Sequence, residues 1–168
     1  MSLKKLLLSA LLVLGMTMVS KPASAYSTFG NGWDGPGQGS ANLTYFFGPM
    51  TPDLPVASVK STLVSALDQW SAVANLTFSE TFVANMIRSI DIAFVTGDHG
   101  DGFPFDGPGG IIAHAFFPAP PNPESIAGDL HFDDDELWEI GNGLGFAAFD
   151  LMWVAVHELG HSLGLGHS

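Results

Sequence analysis

The sequence lacks cysteine altogether and is poor in positive charge: its 168 residues carry five Lys and Arg against 17 Asp and Glu. Without cysteine no disulfide can staple the fold, and no thiol is present to act as a nucleophile, bind a metal or carry a lipid. The scarcity of cations counts against nucleic acid and anionic membranes as partners, because both are bound by neutralising phosphates with Lys and Arg. Long apolar runs are scarce too. The longest, Leu6 to Val19, is shorter than the roughly 20 residues a membrane span needs. Lys4 and Lys5 precede it and Ala23-Ser24-Ala25 follows it, the pattern of an export signal cleaved after residue 25.

That leader takes Lys4, Lys5 and Lys21 with it. Lys60 and Arg88 alone then face all 17 acidic side chains, a formal charge of −15 (two minus seventeen). A chain so acidic yet rich in Phe, Leu, Ile and Val is expected to fold rather than stay disordered. Bound cations would relieve the repulsion, and Ca²⁺ prefers carboxylate and carbonyl oxygens. Metal binding can also supply the folding free energy that disulfides supply elsewhere. The 143 residues from Tyr26 onward suit one domain with one core.

Residues 26–40 are Gly-rich and read as an irregular leader. Asn42 to Phe47 reads as a strand. Val56, Val59, Leu63, Leu67, Trp70 and Ala74 recur in steps of three and four and predict a helix after Pro55. Leu76 to Val83, Ile90 to Val95, Ile111 to Phe117 and Asp129 to Phe132 read as strands, and Phe149 to Leu163 as a second helix. The Gly- and Asp-rich stretch 97–110 is too long for a simple turn and reads as a functional loop. This order predicts an α/β (α+β) domain in which a twisted sheet packs against two helices.

The end of the chain carries the sharpest signal. His157-Glu158-Leu159-Gly160-His161-Ser162-Leu163-Gly164-Leu165-Gly166-His167 fits H-E-x-x-H-x-x-G-x-x-H, the extended zinc motif of metzincins. On a helix, positions i and i+4 differ by about 40° of rotation, so His157 and His161 can grip one ion. Glu158 lies beside them, placed to hold a water without being a ligand. Gly164 permits the left-handed turn that brings His167 back as third ligand. Three protein ligands leave one position of a tetrahedral zinc open, which is the catalytic arrangement. Five specified positions recur by chance at roughly 10⁻⁸ to 10⁻⁷ per site, which sets aside coincidence.

His99, His114 and His131 lie among Asp residues in "HGDGFPFDGPGG", "AHAFFP" and "GDLHFDDDE". Three imidazoles and a carboxylate compose a closed zinc site, and Asp106, Asp133 and Glu136 with glycine-loop carbonyls offer oxygens to calcium. Spacing alone leaves this even with ordinary packing and surface roles. The three segments, together with "VAVHELGHSLGLGHS", resemble the catalytic domain of matrix metalloproteinases, the matrixins, from about Asn42 to the end of the sequence.

The resemblance implies a zincin-like fold with a mostly parallel sheet and one antiparallel edge strand, occupying residues 41–168. It implies a structural zinc on His99, Asp101, His114 and His131. It implies calcium on Asp106, Asp133, Glu136 and the carbonyls of Gly107, Gly109 and Ile111, with Asp129 in a second calcium site. The edge strand, with Ile112 and Ala113, would pair with an extended peptide substrate. Trp153, four residues before the first zinc histidine, would set the depth of the pocket after the scissile bond.

The resemblance also brings departures. There is no cysteine-bearing pro-segment of the kind that caps the zinc in animal members, which leaves Asp34 of the leader as the candidate for latency and suggests a secreted, bacterial-type member. The family's methionine-containing turn would follow His167, so the domain reads as truncated after the active-site helix. The expectation is a secreted, monomeric zinc endopeptidase that also carries calcium. The rival is a metal-stabilised protein that binds peptides without cutting them.

Overall fold

Alternating side chains decide which way the long strands face. In β2 (Ser40–Phe47) the buried positions are Ala41, Leu43, Tyr45 and Phe47. In β4 (Ser89–Val95) Ile90, Ile92 and Phe94 are buried, and in β6 (Leu130–Asp133) Leu130 and Phe132. A period of two puts each set on one face, and that shared face must be covered. Two helices cover it.

The computed structural model describes residues 27–34 and 39–167. The expected export signal lies outside the described residues, as does part of the Gly-rich leader. The remaining elements are β1 (Ser27–Thr28), α1 (Val56–Val73), β3 (Asn75–Glu80), β5 (Ala113–Ala115), β7 (Trp138–Glu139), a 3₁₀ turn (Gly145–Ala147), β8 (Phe149–Asp150), α2 (Leu151–Ser162) and β9 (Leu165–Gly166). The main sheet has five strands in the order β3-β2-β4-β6-β5. Its first four strands run parallel, and only β5 is antiparallel, paired to β6 with His114 opposite His131. The expected architecture, with its antiparallel edge strand, is the one observed.

Helix α1 connects β2 to the parallel β3 and buries Val59, Leu63, Ala66 and Leu67 on the sheet. It starts at Pro55, whose carbonyl accepts from the Ser58 and Val59 amides. Val56 is exposed, so the buried stripe begins one turn later than the apolar pattern suggests. Helix α2 buries Leu151, Ala155 and Leu159, a run of i, i+4, i+8, against the same core. Its first residue is Leu151 because Asp150 caps it, accepting from the Trp153 amide at 3.0 Å, while Phe149 and Asp150 pair with β7.

Other boundaries shift for local reasons. Strand β3 ends at Glu80 instead of reaching Val83, because the chain turns through Thr81 to Asn85, the last at φ 57°. The ladder expected over Ile111 to Phe117 narrows to three residues. Its flanks still pair: Ile112 O accepts from the Asp133 amide, and Phe116 exchanges bonds with Asp129 O and Gly128 N. The Gly-rich leader is not wholly irregular, since β1 pairs antiparallel with β9. Asp129, placed in a strand by the sequence, lies one residue before β6.

Because Leu159 is fully buried on the face of α2 turned from its histidines, truncating it tests the packing alone. Leu159→Ala is expected to cost about 2–5 kcal/mol in denaturant unfolding. A cost below about 1 kcal/mol would mean that α2 is held by something other than its core face.

Candidate metal centres and active-site cleft

Helix geometry brings the first cluster together. His157 and His161 stand one turn apart on α2, away from the Leu151–Ala155–Leu159 stripe. After Ser162 the chain reverses at Gly164, whose φ of 99° is the left-handed region glycine tolerates. The Gly164 amide donates to His161 O, and β9 then delivers His167. His167 Nε2 lies 3.2 Å from His157 Nε2 and 3.1 Å from His161 Nε2. His161 Nδ1 donates to Leu165 O at 2.6 Å, which leaves its Nε2 as a lone pair aimed at the cluster.

Nitrogens held so close repel unless a proton or cation lies between them. Zn–N bonds of about 2.05 Å in a tetrahedron separate ligand nitrogens by about 3.3 Å, so the observed spacings fit a zinc ion. Burial lowers the affinity of His157 for protons, and the neighbouring His161 and His167 lower it further, which favours a metal over a proton. Glu158 is buried in the same cleft, and burial pushes its carboxyl up to about 7, with His167 opposing.

A second cluster gathers His99, Asp101, His114 and His131. Asp101 Oδ2 lies 2.7 Å from His99 Nε2, 2.7 Å from His114 Nε2 and 2.9 Å from His131 Nδ1. His99 Nδ1 donates to Gly97 O, which turns its Nε2 inward toward Asp101. Burial alone would raise the Asp101 carboxyl; the Phe103 amide and the imidazoles of His114, His131 and His99 bring it down to about 2. Burial lowers His114 and His131. Three imidazoles and a carboxylate compose a closed tetrahedral zinc site.

The acidic residues gather in two places. Asp106 Oδ1 accepts from the Ile111 amide at 2.8 Å, and Glu136 Oε1 accepts from the Gly109 amide, folding the loop from Asp106 to Ile111 around their carboxylates. A Cβ at Gly110 would collide with the Asp106 carboxylate. Asp133 is fully buried and its Oδ2 has no hydrogen-bond partner among the described residues. Burial raises the Asp133 carboxyl, and Asp135, Glu136 and Asp106 add to the shift, so the group asks for a cation. The charges of Asp106 and Glu136, two of the residues expected at the first calcium, thus act on a third, Asp133.

Asp129 behaves differently, and its partner escaped the sequence reading. Its Oδ1 accepts from the Asp91 amide at 3.1 Å, and Asp91 Oδ2 accepts from the Asn85 amide at 2.7 Å. Burial raises Asp129 to about 7; the Asp91 amide opposes this, and the charges of Asp91 and Asp101 add to it. No spacing signal links Asp91 to Asp129, because only the β4–β6 pairing makes them neighbours.

Between α2 and β5 lies a cleft of about 380 Å³ lined by Ala113, Ala115, His157, Glu158, His161 and His167. Phe29 of the leader also faces it and stacks on Phe117 at 4.5 Å. The far edge of β5 has no strand partner among the described residues. Trp153 is 79% exposed one turn before His157, and it lines a second cavity of about 310 Å³ beside His157 and His167. Asp34, the candidate for latency, is paired to Arg88 at 2.8 Å and takes no part in the histidine cluster.

Comparison with known proteins adds the decisive observation: the matrixin family model matches residues 36–168. The chain belongs to the matrixin family. This matrixin chain is 46% identical over 127 residues to matrix metalloproteinase-18 of Xenopus laevis, covering 76% of the chain and 25% of that protein. It is 48% identical over 129 residues to interstitial collagenase of Equus caballus, covering 77% and 25%. It is also 46% identical over 126 residues to matrilysin of Felis catus, covering 75% and 45%. It thus spans between a quarter and under half the length of these relatives. Matrixins use zinc, in keeping with the two histidine clusters. Among the described residues no helix is long and apolar enough to cross a membrane.

The shifted carboxyl of Asp129 yields a signed expectation. A carboxyl raised in the folded state keeps a proton that the unfolded chain has lost, so stability falls as pH rises from about 4 through 7. Chelator-treated protein should therefore lose unfolding free energy over this interval, and Asp129→Asn should flatten that part of the profile. An unchanged slope in the variant would remove Asp129 as its source.

Proposed function

We propose that the chain is a secreted zinc-dependent endopeptidase that cuts extended peptides in the cleft between α2 and β5. The observation that carries this reading is the meeting of three imidazole nitrogens beside a buried glutamate, facing an unpaired strand edge. On this reading residues 1–25 are a signal peptide, 26–40 a leader and 41–168 the catalytic domain, acting as a monomer. His157, His161 and His167 hold the catalytic zinc, and His99, Asp101, His114 and His131 a structural one. Asp106, Asp133, Glu136 and the carbonyls of Gly107, Gly109 and Ile111 hold calcium, with Asp129 and Asp91 in a second calcium site.

A zinc ion bound by the three histidines would polarise the scissile carbonyl and acidify a water. The chain supplies the rest. The open edge of β5, with the adjoining Ile112 and Ala113, pairs with the substrate backbone and fixes its direction. Glu158, whose carboxyl burial raises to about 7, is poised near neutral pH to accept the water's proton as a carboxylate and to return one to the departing amine. Burial strengthens both transfers by excluding competing water.

Glu158→Ala should abolish nearly all cleavage of casein or a fluorogenic peptide while leaving zinc content unchanged, whereas His161→Ala should lose both. Elemental analysis of protein purified without chelator should find two zinc ions and at least one calcium per chain. Cleavage that survives Glu158→Ala would sink the mechanism. One zinc without calcium would sink the structural sites. Peptide binding without turnover in the wild type would favour the rival reading of a metal-stabilised binding protein.

Specificity offers a separate test. If the exposed Trp153 ring closes the pocket for the residue after the cut, small and medium apolar side chains are favoured there. Trp153→Leu should then raise cleavage before Phe and Tyr by about 10-fold or more, since pocket contacts of this kind are worth about 1–3 kcal/mol. A peptide-library profile that does not move would remove Trp153 from the pocket.

A further inference from the structure

We propose that the leader residues Ser27, Phe29 and Trp33, with Arg88 behind them, are positioning residues for His167, so that the leader sets the affinity of the catalytic metal. The inference rests on the reading of His157, His161 and His167 as zinc ligands.

His157 and His161 are oriented by their helix, but His167 lies beyond the helix end, just after a two-residue strand. Within its own segment that strand has few anchors: Leu163 N to Leu159 O, Gly164 N to His161 O, and the His161 imidazole on Leu165 O. The leader supplies the others. Ser27 and Thr28 pair with Gly166 and Leu165. The Phe29 amide donates to Gly164 O at 2.9 Å. The Ser27 hydroxyl donates to the carbonyl of His167 itself at 2.7 Å. The Trp33 indole donates to Ser162 O at 2.9 Å. The approach is close enough to require glycine at position 166, where a Cβ would collide with the Phe29 ring and the Ser27 hydroxyl.

The leader is in turn tied to the main sheet. Arg88 donates through Nη1 to Trp33 O at 3.1 Å and through Nη2 to Asn42 O at 3.2 Å, and it pairs with Asp34. Arg88 holds φ at 58°, a conformation uncommon for a side chain of its size. Its own carbonyl is fixed by the Thr44 amide at 3.0 Å. One of the two basic residues beyond the export signal is thus committed to this junction. A continuous path of hydrogen bonds runs from the edges of β2 and β4 through the leader to the third ligand.

Groups that orient a metal ligand are worth about 10- to 100-fold in metal affinity when removed. The test uses the chain from Tyr26 and competition with a chromogenic zinc chelator. His161→Ala supplies a background in which only the structural zinc remains, so the two affinities are measured apart. Ser27→Ala and Trp33→Phe should each weaken the catalytic zinc about 10-fold and leave the structural zinc unchanged. Ser27→Thr, which keeps the hydroxyl, should restore it. Wild-type affinity in both variants would overturn the inference, as would equal weakening of both zincs, which would report general loosening of the fold. A wild-type chain that binds no zinc dependent on His161 would instead overturn the underlying reading of the site.

Discussion

Acceptor groups turned toward one another are the constraint on which the rest of this structure depends. The imidazoles at the end of α2 and the ring of histidines around Asp101 each converge within a few ångströms, and the charges of Asp106 and Glu136 act on the buried Asp133. Such groups gain nothing from burial unless a proton or cation joins them. With no cysteine in the chain, nothing covalent holds these loops in register. The Gly-rich loop from Gly97 to Ile111 buries Phe105 as its one apolar anchor beside the His99 and Asp101 side chains, and amides donating to Asp101, Asp106 and Glu136 shape it.

Helix α2 joins the apolar core to this polar economy. One side carries Leu151, Ala155 and Leu159 into the core beside Val59, Leu63 and Leu67 of α1. The other carries the histidines, and Glu158 lies buried between the two. The cleft is therefore built on an element whose rotation is fixed by packing, so the side of the helix from which His157 and His161 project follows from hydrophobic burial. The third histidine has no such guarantee and depends on hydrogen bonds from distant parts of the chain.

How much of this the sequence disclosed follows the same division. Periodicity found α1, whose apolar spacing decides it, and short apolar runs located β2, β4 and β6, while their alternating buried faces emerge only in the folded sheet. The histidine motif was legible for a similar reason, since one helix and one turn bring its members together. The oxygen-rich sites were legible mainly through resemblance, because loops carry no period. Three things escaped. The Asp91–Asp129 pair depends on parallel strands meeting. The β7–β8 pair consists of two-residue strands too short to show alternation. The role of the leader is hidden by its glycines, whose few side chains find partners more than a hundred residues away.

One feature of the edge strand reaches further than its place in the sheet. His114, the middle residue of β5, stands directly opposite His131 and shares Asp101 with it. Edge strands ordinarily fray, and a partner laid against one must spend part of its binding energy to straighten it. Here the strand is pinned at its centre by a cluster on its inner side, while its outer row of amides and carbonyls stays open. Stiffness is thus conferred from behind, through Asp101 and His131. On the proposed reading, an arriving strand would find a template already straight, and only the guest would have freedom left to lose.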